Sequence, residues 1–212
     1  MTAAEALDKM ADGTAAYHVL RSRLEGTMGA PLEEVAASEI GPDYGFGEHT
    51  YFRIAGGNDS LAAVLAEDLE ISFGSQVLAV AQRGKRVVLA TSAAEFEADA
   101  VVVAVPLPVL QRLDLDPAPP PPVLAALSEL RMGSAAKVAI ATKTAPSLFR
   151  RQDTDIPAWY WTGLTAGGSI RNAVTGFAGS GPGVKALMSD PVGRLGRAVP
   201  EVGLVGEPAI ID

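Results

Sequence analysis

The chain contains no cysteine. Disulfides, thiolate metal sites and cysteine nucleophiles are thereby excluded together. Histidine is nearly absent as well, with only His18 and His49, so a His-rich centre has no basis and no metal is expected. No apolar run approaches the roughly 18 residues that a membrane helix needs. The first residues lack the basic-then-apolar order of a secretion signal, so a cytoplasmic location is the expectation. A basic surplus is also missing. The net charge is −8 and the pI about 4.8, which disfavours phosphate backbones, and no nucleic-acid or membrane partner is expected. The P-loop, G-x-S-x-G and HExxH patterns do not occur.

What is present describes a globular chain. Its 212 residues are 48% apolar and 20% charged, enough to bury a core. The acidity is concentrated: residues 1–70 hold 13 acids and 4 bases, and residues 71–212 hold 12 acids and 13 bases. Such a surplus reads either as solvated helix faces or as a surface turned toward a basic neighbour.

Helical spacing of Leu7, Met10, Tyr17, Leu20 and Leu24 predicts a helix over residues 4–25, followed by a short one around Leu32–Ser38. The Gly-rich stretch from Gly41 to Gly47 reads as a loop, and Thr50–Ile54 as a short strand. Gly56 and Gly57 precede a helix that Asn58 or Asp59 can cap. The period then changes to two. Strands are predicted at Ile71–Val80, Arg86–Thr91, Glu95–Ala98, Ala135–Thr144, Ala158–Thr162 and Arg171–Ala178. The run Val101–Val105 reads as a strand buried on both faces. Short helices are predicted near Val123–Leu130 and Val184–Met188, and periodicity is weak after Pro191. Strands joined by short turns, with helices grouped at the N-terminal end, predict an α+β fold with a mixed, mostly antiparallel sheet. The expected organisation is a single domain over 1–212, with a helical part at 1–48 and a sheet with helices at 49–212.

Few residues carry visible chemistry. Lys137 interrupts the apolar strand Ala135-Ala-Lys-Val-Ala-Ile-Ala141. It reads either as an outward lysine that guards a sheet edge or as an ammonium aimed into a cavity. In Trp159-Tyr-Trp161, alternation puts both indoles on one face and Tyr160 on the other. The indoles fill a core or wall a ligand pocket. Arg53 suits a surface ion pair or a carboxylate contact. Neither histidine has a partner at a telling spacing.

Four ordered segments resemble the flavin-containing amine oxidases, a family that includes monoamine, polyamine and L-amino-acid oxidases. They are Tyr51-Phe-Arg-Ile-Ala-Gly-Gly-Asn-Asp-Ser-Leu61, Ile71-Ser-Phe-Gly-Ser-Gln-Val77, Ala98-Asp-Ala-Val-Val-Val-Ala-Val-Pro-Leu107 and Leu130-Arg-Met-Gly-Ser-Ala-Ala-Lys-Val138, with Gly176-Phe177 in support. The resemblance implies the substrate-binding domain of an FAD enzyme that oxidises a C–N bond, passing hydride to flavin and electrons to oxygen. It implies that Val77 meets the adenine end of FAD, that Val105 and Pro106 run near the cofactor, and that Lys137 holds a water at the flavin N5. Thr50, Tyr51, Trp159 and Trp161 match regions that line the substrate pocket. The family's N-terminal strand–GxGxxG–helix and its C-terminal FAD segment have no counterpart here. FAD is therefore expected only with those parts supplied, by an FAD-domain partner chain or a longer parent, and the chain alone is expected to be inactive. A small amine or amino acid is the implied substrate. The alternative is a cofactor-free ligand- or partner-binding module, with self-association covering its bare cofactor face.

Overall fold

The computed structural model describes residues 1–11, 13–41, 54, 56–165, 167–201 and 203–211. The chain divides into two compact units, Met1–Tyr51 with Gly133–Asp212, and Phe52–Met132. The fold is α+β, with two mostly antiparallel sheets and, among the described residues, seven α-helices.

In the first unit the predicted opening helix is two helices, α1 (Ala3–Ala11) and α2 (Ala15–Met28). Gly13 adopts φ 71°, a left-handed turn that a glycine takes without strain. The Thr14 hydroxyl then accepts from the Tyr17 N–H and caps α2. Two 3-10 turns, Leu32–Glu34 and Ala37–Glu39, replace the single short helix of the sequence reading. Ala3, Ala4, Leu7, Leu24, Leu32 and Val35 form a small core here.

The larger core lies on a five-stranded sheet. Its strands, numbered by their place in the whole chain, are β5 (Ala135–Thr142), β6 (Arg150–Asp153), β7 (Ala158–Leu164), β8 (Ile170–Gly179) and β9 (Leu204–Ile211). Their order is β6-β7-β8-β5-β9, all antiparallel. Two helices, α6 (Gly181–Ser189) and α7 (Pro191–Ala198), cover one face. Val138, Ile140, Tyr160 and Val174 of the sheet bury against Leu187 and Leu195 of those helices. The other face alternates with it at half exposure.

The second unit holds α3 (Asp59–Ala66), β1 (Val77–Arg83), β2 (Arg86–Thr91), β3 (Glu95–Ala98), α4 (Leu107–Leu110), β4 (Asp114–Asp116) and α5 (Pro121–Glu129). Its sheet runs β3-β2-β1-β4, antiparallel except for the β1–β4 pair. The predicted doubly buried strand at Val101–Val105 is corrected: the segment has no ladder, and Val102 is 91% exposed. Its apolar run meets no second sheet among the described residues, so hydrophobicity alone did not make it a strand. None of the described residues from 54 to 132 is buried. No helix among the described residues is long and apolar enough to cross a membrane.

Candidate functional site

Cross-strand register assembles the site on the half-exposed face of the five-stranded sheet. Gln152 lies opposite Trp159, Trp159 opposite Phe177, and Phe177 opposite Lys137. The next row on the same face runs Arg150, Trp161, Thr175 and Ala139. Directly paired residues project to the same side of a sheet, so these eight residues share one surface.

Lys137 is half-buried on this surface, and no salt bridge reaches it among the described residues. Its neighbour Phe177 stacks on Trp159, with ring centroids 4.5 Å apart and an interplanar angle of 29°. The Arg23 guanidinium stands 5.0 Å from the centre of the Trp159 ring, a cation–π geometry. Helix α2 delivers Arg23 because it crosses the sheet very closely. A Cβ placed on Gly26 would come within 2.7 Å of Trp159 Cζ3. Arg23, Arg150, Gln152 and Trp159 line a cleft of about 300 Å³.

Hydrogen bonds on both faces hold this surface in place. The Tyr160 hydroxyl donates to Asp153 Oδ2 at 2.8 Å, and Arg194 lies 3.6 Å from the same oxygen. Burial, reinforced by the Asp153 hydrogen bond, pushes the Tyr160 phenol well above its ordinary range. Gln152 Nε2 donates at 2.8 Å to both Ser22 Oγ and the Ala158 carbonyl. Ser22 Oγ in turn donates to the Asp153 and Ile156 carbonyls. The β6–β7 hairpin is thus tied to α2 on one side and to α7 on the other.

A family model for flavin-containing amine oxidoreductases matches residues 12–190. The chain belongs to that family. Among solved structures, a cyclohexylamine oxidase from Brevibacterium oxydans matches with a TM-score of 0.65 at 15% identity, over 91% of this chain and 47% of that one. A double mutant of putrescine oxidase, from a redesign of its cofactor binding, matches with a TM-score of 0.74 at 16% identity, over 100% of this chain and 53% of that one. A single mutant from the same redesign gives 0.69 at 15% identity, covering 92% and 47%. The chain therefore spans about half the length of the solved structures it resembles. Membership of the family implies FAD in the full enzyme, and no metal-binding group occurs among the described residues.

The expected site residues fall in different places. Lys137, Trp159 and Trp161 share the surface described above. Val77 begins β1 opposite Thr91 and is half-buried. Val105 is exposed, and Pro106 stands at the N-cap of α4. These three belong to the second unit. Thr50, Tyr51, Arg53 and His49 lie outside the described residues. Arg23, Arg150, Gln152 and Phe177 were not anticipated as site residues. The alternation of Arg150 and Gln152 just before the Trp159 strand was the available signal, and a hairpin at Thr154-Asp-Ile-Pro157 would have placed them.

Proposed function

We propose that this chain is the substrate-domain portion of an FAD-dependent amine or amino-acid oxidase, with Lys137 and the Trp159–Trp161 strand facing the reaction. The observation that carries this reading is the row Trp159–Phe177–Lys137, an aromatic wall ending in an ammonium without a salt-bridge partner among the described residues. That donor set fits the reactive edge of a flavin: apolar carbon to exclude water, and one N–H donor beside it. Bound FAD would supply the acceptor for hydride from the carbon bearing the amine, and then pass electrons to oxygen. Lys137 Nζ would donate a hydrogen bond to a water and hold it in place during reoxidation. Trp159 and Trp161 would orient the apolar part of the substrate and shed water from it. Thr50 and Tyr51 would complete the pocket wall. Val77, Val105 and Pro106 remain the residues proposed along the cofactor.

The second unit supports the same reading from another direction. Leu61, Val64, Leu65, Leu69, Phe73 and Val102 are all more than half exposed, apolar side chains that an intact enzyme would cover. An FAD-domain partner, part of a longer parent or a second copy would cover it. The proposed compartment is the cytoplasm, and the substrate class is a small amine or amino acid.

The test is spectroscopic. The purified chain should stay colourless with added FAD, and should gain flavin absorbance when combined with a polypeptide carrying the GxGxxG half. In that complex Lys137→Met should slow flavin reoxidation while leaving reduction by amine largely unchanged. Reoxidation at the unsubstituted rate would overturn the role given to Lys137. A complex that binds flavin yet is reduced by no amine would overturn the oxidase reading.

A further inference from the structure

We propose that the second unit, Phe52–Met132, reaches a stable fold only against the FAD-binding half of an amine oxidase, whose apolar side chains enter the leucine cleft between α4, β4 and α5 and cover the sheet face beside it. The identity of that partner rests on the function proposed above; the incompleteness of the unit does not.

The unit has the surfaces of a core without the core. Register puts Phe96 opposite Leu89, Leu89 opposite Val80, and Val80 opposite Leu115. Directly paired residues share a face, so one apolar row crosses all four strands. The opposite face ends in Glu95 and Glu97 on β3 and in Asp114 and Asp116 on β4. A sheet patterned in this way is suited to burying its apolar face. Yet Phe96 stays 42% exposed, and no described residue of the sheet is buried. Leu115 shows where the layer is missing. Leu110, Leu113 and Leu115 meet Leu124 and Leu127 of α5 around an open cleft of about 380 Å³. Gln111 fixes the end of α5, because its Nε2 donates to the Leu127 and Leu130 carbonyls. The leucines therefore converge without closing. The buried clusters of the molecule both lie in the first unit. A segment of this length with no buried side chain among its described residues lacks the apolar burial that must offset its conformational entropy.

Length and charge choose the occupant. This chain spans about half the length of the amine oxidases it resembles, so each of those contains a further half able to supply the missing layer. A second copy is disfavoured. Phe52–Met132 holds 10 acids and 6 bases, so two such units meet with like net charge. The FAD-binding half lays apolar side chains on Leu89 and Val80 and inserts others among the leucines. Its binding then supplies the free energy that orders the unit, as in coupled folding and binding.

Hydrogen exchange read by mass spectrometry tests this on the full chain, alone and mixed with FAD and the GxGxxG-bearing polypeptide encoded beside or in frame with it. Alone, the amides of β1 and β2 should exchange within about tenfold of the unstructured rate, while those of β5 and β8 are slowed at least about a thousandfold. The mixture should slow β1 and β2 by about a hundredfold or more. Leu124→Glu, which puts a charge into the cleft, should reduce that gain about tenfold. Lys85→Ala, in the exposed turn between β1 and β2, should keep it. Both tryptophans, Trp159 and Trp161, lie in the first unit, so unchanged indole emission shows that this unit stays folded in each variant. Slow exchange of β1 and β2 in the monomeric chain alone overturns the proposal. So does protection that grows with chain concentration, the mark of a second copy, or a mixture in which β1 and β2 stay unprotected. Full protection of the Leu124→Glu mixture overturns the cleft as the docking point. Failure of the oxidase reading looks different: β1 and β2 become protected and flavin binds, but no amine reduces it.

Discussion

The closeness of α2 to the sheet makes a sharp demand on Gly179, the last residue of β8. A Cβ added there would lie 2.7 Å from Gly26 Cα and closer still to the Gly26 carbonyl oxygen. Both are backbone atoms, so no side chain can swing aside. Ordinary contact begins near 3.4 Å, and α2 would have to retreat by about 0.7 Å to relieve the carbon contact alone, which sets the scale of the overpacking penalty. That retreat strains the hydrogen bonds of Ser22 to the hairpin carbonyls and to Gln152. It also lifts Arg23 from the Trp159 ring. Overpacking costs about 1–3 kcal/mol, and the strained hydrogen bonds, weakened but not lost, together add about 1 kcal/mol. Gly179→Ala should therefore destabilise the first unit by roughly 2–4 kcal/mol, a fall in Tm of about 6–15 °C. Gly181 provides the control. It opens α6, its added Cβ meets nothing within 4 Å, and its φ is not left-handed. Gly181→Ala should leave stability unchanged or raise it by up to about 1 kcal/mol. Thermal melts followed by circular dichroism and tryptophan emission decide the matter. Equal melting of the two variants, or a fall below about 2 °C for Gly179→Ala, refutes the reasoning.

Three further outcomes follow from the same structure. Tyr160→Phe removes the donor to Asp153 Oδ2 and should cost about 1–3 kcal/mol in urea unfolding, with Arg194 and two backbone N–H groups still serving the carboxylate; no loss would show that the Tyr160 bond contributes nothing. Burial holds the Glu25 carboxyl above its ordinary range, against the opposing pull of Arg21, so its stabilising contribution is full at low pH and fades as pH rises through the raised value. Glu25→Gln should accordingly raise Tm most near about pH 7, with the gain shrinking toward about pH 4, and a gain that grew on acidification would contradict the sign. Val102→Glu should leave the chain's stability within about 0.5 kcal/mol and reduce its binding of a hydrophobic dye, whereas marked destabilisation would mean that Val102 is packed after all.

The parts of the fold read most readily from sequence are those where local chemistry and the final environment agree. Alternation placed Trp159 and Trp161 on one side and Tyr160 on the other, and the sheet keeps that division because α6 and α7 cover only the Tyr160 side. The apolar spacing of the opening segment continues through Gly13 and Thr14, where a left-handed glycine and a capping hydroxyl divide it into two helices. Helix α7 is hard to read from sequence because Gly193 and Gly196 lower its propensity, although Asp190 caps it and Pro191 starts it. Strand β9 contains Pro208, which argues against a central strand but is tolerated at an edge, where β9 lies.

Val138 and Val102 show why the remainder was not legible. Both sit in apolar, β-branched stretches, yet Val138 is fully buried and Val102 is 91% exposed. Periodicity says which residues share a face; it does not say what lies on that face. For the five-stranded sheet the missing information was which side the helices would take, and for Val101–Val105 it was whether a second layer would arrive. Lys137 stands out in spite of this because its marker is chemical. A lysine in the middle of an apolar strand needs an explanation in either geometry, whereas Arg23 and Arg150 look ordinary until α2 and the β6–β7 hairpin bring them to one indole. The anticipated residue is thus the one that breaks its local pattern, and the unanticipated ones are those whose role depends on a neighbour far away in sequence.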